Sequence, residues 1–409
     1  MKYVHPALIP LSKDIFFDWK GERFTLSDPR VAGDTHPQTW ADDDNIYVGT
    51  GDPNWFCKDG KSVHWTDNPY HGDESAQNAM YGQAFERITG GADDAALERV
   101  HDMPGYIGHG GNGPKPCGMI CVDGVIYYAV QNLLGYKTPP HRIGSQHGSD
   151  ATIICSRDHG KTWEPDLDGL LYEFTKSQWD AGTHKWKTAE SERNGYKGFE
   201  PMFPGSEFGG LSFVQYGKNN AGAPDGYVYA VSGDQWDNGK YLRLGRVKND
   251  RIMDRHEWEF ASLDSSGGPV WHKDIKKAEP ILEIEGHVSL PEMVYIHSLN
   301  KYLLLTWGLH GDFYTPTGSE LTILESDNIW GPFSLVHFEW MWDGRDVCAY
   351  TPRVPLKWFD HETGCGYILH SGNWGYSDAE GNWKSYPQYY RPHLKKFWIG
   401  RRWDKELQK

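Results

Sequence analysis

Strand–turn–strand units recur from one end of the chain to the other, and amphipathic helical periodicity is nearly absent. Many short strands need partners on both edges, and a chain without helices buries those edges by closing on itself. A sandwich rarely needs so many strands. The expectation is an all-β, single-domain β-propeller spanning residues 1–409, with about five units visible.

A first hairpin is expected over 15–26 with Gly21 in its turn, followed by strands over 45–50 and 81–88. Residues 117–132, CGMICVDGVIYYAVQN, read as a hairpin turning at Asp123-Gly124, a dipeptide that accepts two positive φ angles. SRDHGKTW at 156–163 is an S-x-D-x-G-x-T-W Asp-box, a turn that recurs in the blades of sialidase-like propellers. Four strands follow over 211–216, 226–232, 241–248 and 258–262, and the pattern returns at 291–308 with 320–338 and at 351–372 with 392–400. Long insertions such as 166–198 interrupt it. The last strand, 395–400, is expected to close the ring against the first hairpin.

Lys+Arg of 41 against Asp+Glu of 56 gives a net charge of -15, and no basic stretch exists to neutralise phosphates, so nucleic acid is excluded as a partner. A few local arginines can still build a positive pocket on an acidic protein. No apolar run approaches membrane-spanning length. The stretch MKYVHPALIPLSKDIF lacks a continuous apolar core, which points to the cytoplasm, or to a secreted or periplasmic protein whose signal has been removed. The six cysteines read as free thiols, since Cys117 and Cys121 have no partner pair at zinc spacing.

Ligands of propellers sit where the innermost strands converge on a channel, so candidates lie at the starts of those strands. Residues 31–56 gather Asp34, His36, Asp42, Asp43, Asp44 and Asp52 around one strand, interleaved with Trp40 and Trp55. Two carboxylates across a pocket are what glycoside hydrolysis needs, and Asp34 and Asp52 are the candidates. Asp42 and Asp43 are read as turn formers. His36 is a candidate base because an imidazole titrates near neutral pH. HGGNGPKP at 109–116 adds His109 as a second base and Lys115 as a carboxylate partner, with Gln131 and Asn132 closing the same hairpin; a flexible connector is the plainer account of this loop. Arg243, Arg246 and Arg353 lie inside apolar strands, so each is either paired with an acid or aimed at a ligand carboxylate. Arg353 is the preferred ligand contact, because it sits at an inner-strand start. His287, His310 and His370 near strand ends, with Glu292, point to an imidazole-rich pocket, and no close-spaced pair supports zinc. Trp40, Trp55 and Trp307 offer stacking platforms.

The phrases DTHPQTWADDDNIYVGTGD, KPCGMICVDGVIYY, SRDHGKTW, DGYVYAVSGD, YLRLGRVKNDRIMDRHEWEF, KYLLLTWG and WGPFSLV fall in order along most of the chain. Together they resemble the single-domain propellers that cleave the L-rhamnose-α-1,4-D-glucuronate linkage of arabinogalactan-type glycans, relatives of ulvan lyases. They are similar also to a wider set of carbohydrate-active propellers that includes endo-D-arabinanase relatives. The first resemblance implies seven blades. It implies catalytic histidines flanking the hairpin near Gly113 and Leu133 and a tyrosine acid/base, where this chain has Asn112, Lys115, Gln131 and Asn132. In members lacking those histidines the chemistry falls to a first-blade histidine, which His36 would match.

The expected function is removal of a terminal sugar, rhamnose by the resemblance, from a uronic acid in an oligo- or polysaccharide by β-elimination. His36 or His109 would take the proton, and Arg353 or Lys115 would neutralise the uronate. The alternatives are a glycoside hydrolase using Asp34 and Asp52, or His36 activating water, and a non-catalytic glycan-binding propeller. No cofactor is required, a structural calcium on the axis is compatible, and a monomer is expected.

Overall fold

A computed structural model of the chain describes residues 2–26, 33–53, 55–58, 61–64, 83–103, 112–134, 148–167, 179–180, 185–186, 201–311, 316–373, 375–378, 380–385 and 387–403. The fold is an all-β propeller. Its named helical elements among those residues are 3₁₀ turns of three residues each.

Among the described residues, five sheets make the blades. The first contains Gln38–Trp40, Ile46–Gly51, Gln83–Thr89 and Ala96–Met103, and the second Asn112–Val122, Val125–Leu134 and Gly148–Ser156. The third contains Gly210–Phe213, Tyr227–Gly233, Gly239–Lys248 and Leu282–Val288, with Lys2–Tyr3 on its edge. The fourth contains Glu292–Ile296, Lys301–His310, Gly318–Ser326 and Ser334–Glu339. The fifth begins with Tyr350–Arg353 and Cys365–Ser371, then uses Pro392–Arg401 and Ile15–Trp19. Ile15–Trp19, from near the start of the chain, thus pairs with its last strand, Ile15 opposite Arg401, and that pairing closes the ring. Five is the number of units legible in the sequence; the seven blades implied by the lyase resemblance are not found among the described residues.

The segment expected as a first hairpin is not one. Ile15–Trp19 and Phe24–Thr25 do not pair with each other, and both bond to the same edge of Pro392–Arg401. Asp123-Gly124 does turn the second-blade hairpin, with φ of 50° and 76°. The Asp-box is a hydrogen-bonded knot. Ser156 Oγ accepts from Gly160 N at 2.7 Å, and the Asp158 carboxylate accepts from Thr162 N at 2.9 Å and Thr162 Oγ1 at 2.7 Å. The knot holds Trp163 edge-on to Phe85, 4.8 Å between ring centroids, so it staples the second blade to the first.

Buried polar side chains stitch the innermost strands together at the axis. Thr39 Oγ1 accepts from Cys121 N at 2.9 Å, Gln215 Nε2 donates to Met119 O at 2.7 Å, and Gln38 Nε2 donates to Glu292 Oε1 at 3.0 Å and Val354 O at 3.2 Å. Every blade contributes to this set. Antiparallel order then sorts the loops: where an inner strand begins, the second strand of its blade ends and the third begins. That end of the ring, here called the mouth, carries Asp34, Asp52, Lys115, Gln131, His287, His310, Tyr350 and His370 near its strand ends.

Candidate active site

Asp34 and Asp52 meet because the chain crosses itself. Asp34 N donates to Gly51 O and Gly51 N to Asp34 O, both at 2.9 Å, so the two acids lie on adjacent turns of the mouth. Glycine at 51 leaves room for the acid, since a Cβ there would stand 2.4 Å from Asp34 Oδ1 and push the carboxyl aside. The backbone around it is strained. Thr35, His36 and Asp52 take left-handed φ of 64°, 38° and 47°, and Cys348 and Thr351 flank Tyr350 at 45° and 52°. Such residues cost about 1–3 kcal/mol each and cluster where function requires them.

Asp34 is 4% exposed. Its Oδ2 accepts from the Tyr350 hydroxyl at 2.9 Å, Tyr390 also bonds to its carboxyl, and Oδ1 has no hydrogen-bond partner among the described residues. Burial raises its pKa to about 7, the neighbouring Asp52 charge adds to the rise, and Lys115, Tyr350 and Tyr390 offset part of it. Asp52 is paired with the Lys115 ammonium. The arrangement is two carboxyl groups, Asp34 with its pKa raised to about 7 and Asp52 beside a buried cation.

His36 is adjacent but enclosed. It is 1% exposed, its Nδ1 lies 3.4 Å from Thr50 Oγ1, and burial with the His393 and Arg353 charges lowers it to about 3. An imidazole so disposed is a weak base. His109 lies outside the described residues. Gln131 faces Lys115 across the hairpin, fully buried, with neither amide atom bonded among the described residues.

Other candidates lie elsewhere. Trp40 ends the first inner strand, on the side away from the mouth, where its Nε1 donates to Asp44 Oδ1 at 3.0 Å. Trp307 is fully buried, edge-on to Trp236 at 5.2 Å, so it is core and not a platform; the Trp55 side chain is not among those described. Arg353 is committed to the axis: Nε donates to Thr35 O at 3.2 Å, and Nη1 to Pro291 O at 2.9 Å and Glu292 Oε2 at 3.3 Å. Arg243 lies over the Tyr241 ring at 5.1 Å, with Nε and Nη1 unbonded among the described residues. His370 is fully buried 3.6 Å from Asp343, and His287 bonds to Glu320. One grouping of potential metal ligands occurs among the described residues, Asp42, Asp43 and His159, at the end away from the mouth. The exposed turn explains it without an ion.

Tyr350 and Tyr390 were not anticipated. They join Asp34 from the far end of the chain, and no local motif marks them.

No family model matches the sequence, and no curated protein matches it. Among solved structures, the chain is similar to a hydrolase candidate from Bacteroides ovatus ATCC 8483, with TM-score 0.51, 14% identity, and 94% of this chain and 89% of that one covered. A xylan β-1,4-xylosidase from Bacillus halodurans C-125 gives TM-score 0.43 and 12% identity over 88% of this chain and 56% of that one. The catalytic domain of a Coprinopsis cinerea GH62 α-L-arabinofuranosidase gives 0.41 and 10% over 96% and 98%. At these identities the likeness speaks to fold alone.

Proposed function

We propose that the protein is a glycoside hydrolase with Asp34 and Asp52 as its working carboxyl pair, acting on an oligo- or polysaccharide. The observation that carries the reading is the Asp34 carboxyl: its pKa raised to about 7, with Oδ1 unbonded among the described residues and the Lys115-paired Asp52 beside it. A carboxylic acid raised to about 7 can protonate a glycosidic oxygen, and Oδ1 is the Asp34 oxygen left without a hydrogen bond among the described residues. Tyr350 and Tyr390 fix the other side of the group. The Asp52 carboxylate then serves the anomeric carbon, directly or through water. The hydrolase name of the Bacteroides ovatus neighbour agrees with this reading.

Elimination fits the site less well. It needs a base and a free cation for the uronate. His36 is held neutral and enclosed, and Lys115 and Arg353, the two cations expected to meet the uronate, are already paired with Asp52 and Glu292. Asp34→Asn and Asp52→Asn test the proposal on any turned-over glycan. Each should lower kcat by at least about a hundredfold, the scale of acid–base groups, with the far-ultraviolet circular dichroism spectrum unchanged. Full activity in either variant removes that residue from the mechanism.

A further inference from the structure

A second cluster on the mouth, over the fourth blade, is not used by this chemistry. Trp340 follows strand Ser334–Glu339 and is 51% exposed, yet it is held in place. Its ring stacks on His310 with centroids 3.7 Å apart at 27°, and Phe338 and His5 approach it at 6.4 and 6.3 Å. Next to this platform lies Glu320, whose side chain is 2% exposed. One of its oxygens bonds to His287 Nδ1. The other, Oε2, lies 3.6 Å from His310 Nε2, beyond hydrogen-bond range. Glu320 Oε2 and both His310 ring nitrogens are buried without a partner among the described residues. Buried polar atoms left unbonded cost free energy, so a group that satisfies them binds well.

We propose that Trp340, His310, Glu320 and His287 form a second sugar subsite that takes an uncharged sugar ring. A rigid, half-exposed indole offers a flat apolar surface to a ring face, and the neighbouring acceptors and imidazoles address its hydroxyls. The charge sets the preference. Burial would raise Glu320, but the bond to His287 and the nearby His310 imidazole prevail and hold its carboxyl below the usual range. A uronate there would meet a carboxylate already desolvated, and like charges at a buried site exclude one another. The subsite shares a face with Asp34. Trp307, three residues before His310, packs 5.5 Å from Tyr350, which bonds Asp34. The inference rests on the glycan reading above and extends it: the substrate has more than one sugar unit, and the unit over the fourth blade is neutral.

The test is binding, measured in an Asp34→Asn background so that turnover plays no part. Titrate neutral arabino- and xylo-oligosaccharides, with oligogalacturonide as the charged comparison, by calorimetry and tryptophan fluorescence. Saturable binding of a neutral oligosaccharide should weaken by about tenfold or more with Trp340→Ala and recover with Trp340→Phe, the scale expected for one aromatic contact. Glu320→Gln should narrow the discrimination against oligogalacturonide. Trp340 is half exposed, so its removal spares the core. Equal affinity in the Trp340→Ala variant, or tighter binding of oligogalacturonide than of every neutral probe, overturns the proposal. An enzyme that never cleaves a glycan but shows the Trp340-dependent binding would refute the hydrolase reading and leave this one standing.

Discussion

The Tyr350 hydroxyl donates to Asp34 Oδ2 at 2.9 Å across 316 residues of sequence. This bond joins the first inner strand's approach to the start of the fifth inner strand. It leaves Oδ1 as the one Asp34 oxygen without a bond among the described residues. Tyr350 itself is fully buried, and burial with the Asp34 charge raises its hydroxyl far above its ordinary range, so it donates and does not titrate.

The pH profile follows from this. If Asp34 acts as the acid, activity falls as pH rises through about 7, where its proton is lost. Tyr350 bonds to the ionised carboxyl and lowers its pKa, so Tyr350→Phe should carry the alkaline limb to higher pH. Initial rates across the pH range read the shift. A limb that moves down, or stays fixed, would detach Tyr350 from Asp34's titration.

Lys115 tests the same carboxyl from the other side. Its charge lowers Asp34 and pairs with Asp52. Lys115→Met should raise the Asp34 pKa further and cut kcat by at least about tenfold, because Asp52 loses its partner in a nearly closed site. A change confined to KM would make Lys115 a substrate contact only.

Arg353 and Glu292 form a buried ion pair at the axis, with side chains 0% and 2% exposed. Glu292→Ala leaves the guanidinium without its carboxylate and should destabilise the protein by about 3–5 kcal/mol. Glu292→Gln keeps acceptors for Val354 N and the guanidinium, and should cost less. Chemical denaturation measures both. Equal losses would show that charge, not hydrogen bonding, is what the axis requires.

His36, His370 and His393 are each held near 3, chiefly by burial. Unfolded, they titrate at their ordinary value of 6.5. Folded pKa values below unfolded ones give stability that is complete above about pH 6.5 and lost as pH falls toward 3. Tm should therefore drop steeply over that window. His370→Asn, lower in Tm at neutral pH, should show a shallower slope. An unchanged slope would mean that His370 is protonated in the fold.

What the sequence revealed follows how local each signal was. The Asp123-Gly124 turn and the Asp-box are written within a few residues, and both were readable as such. Asp34 and Asp52 were readable as a pair because one strand separates them, and Lys115 because glycines and prolines mark its segment, although residues 112–116, read as a flexible connector, are the start of strand Asn112–Val122. Residues 15–26 misled because Gly21 imitates a hairpin turn, while the true partner, Pro392–Arg401, lies at the other end of the chain. Tyr350 and Tyr390 were invisible for the same reason: they reach Asp34 only when the ring closes. His36 and Arg353 were given exposed roles, since nothing local records that a strand start will be buried at an axis.

Hydrolysis of a glycosidic bond by Asp34 and Asp52 has one direct test. The measurement is to incubate the protein with a panel of neutral and uronate-containing plant polysaccharides while following reducing ends and ultraviolet absorbance together, alongside Asp34→Asn and Asp52→Asn. New reducing ends should appear without a conjugated chromophore, and at least about a hundredfold more slowly in both variants. An absorbing unsaturated uronate, or cleavage that survives either substitution, would contradict hydrolysis by this pair.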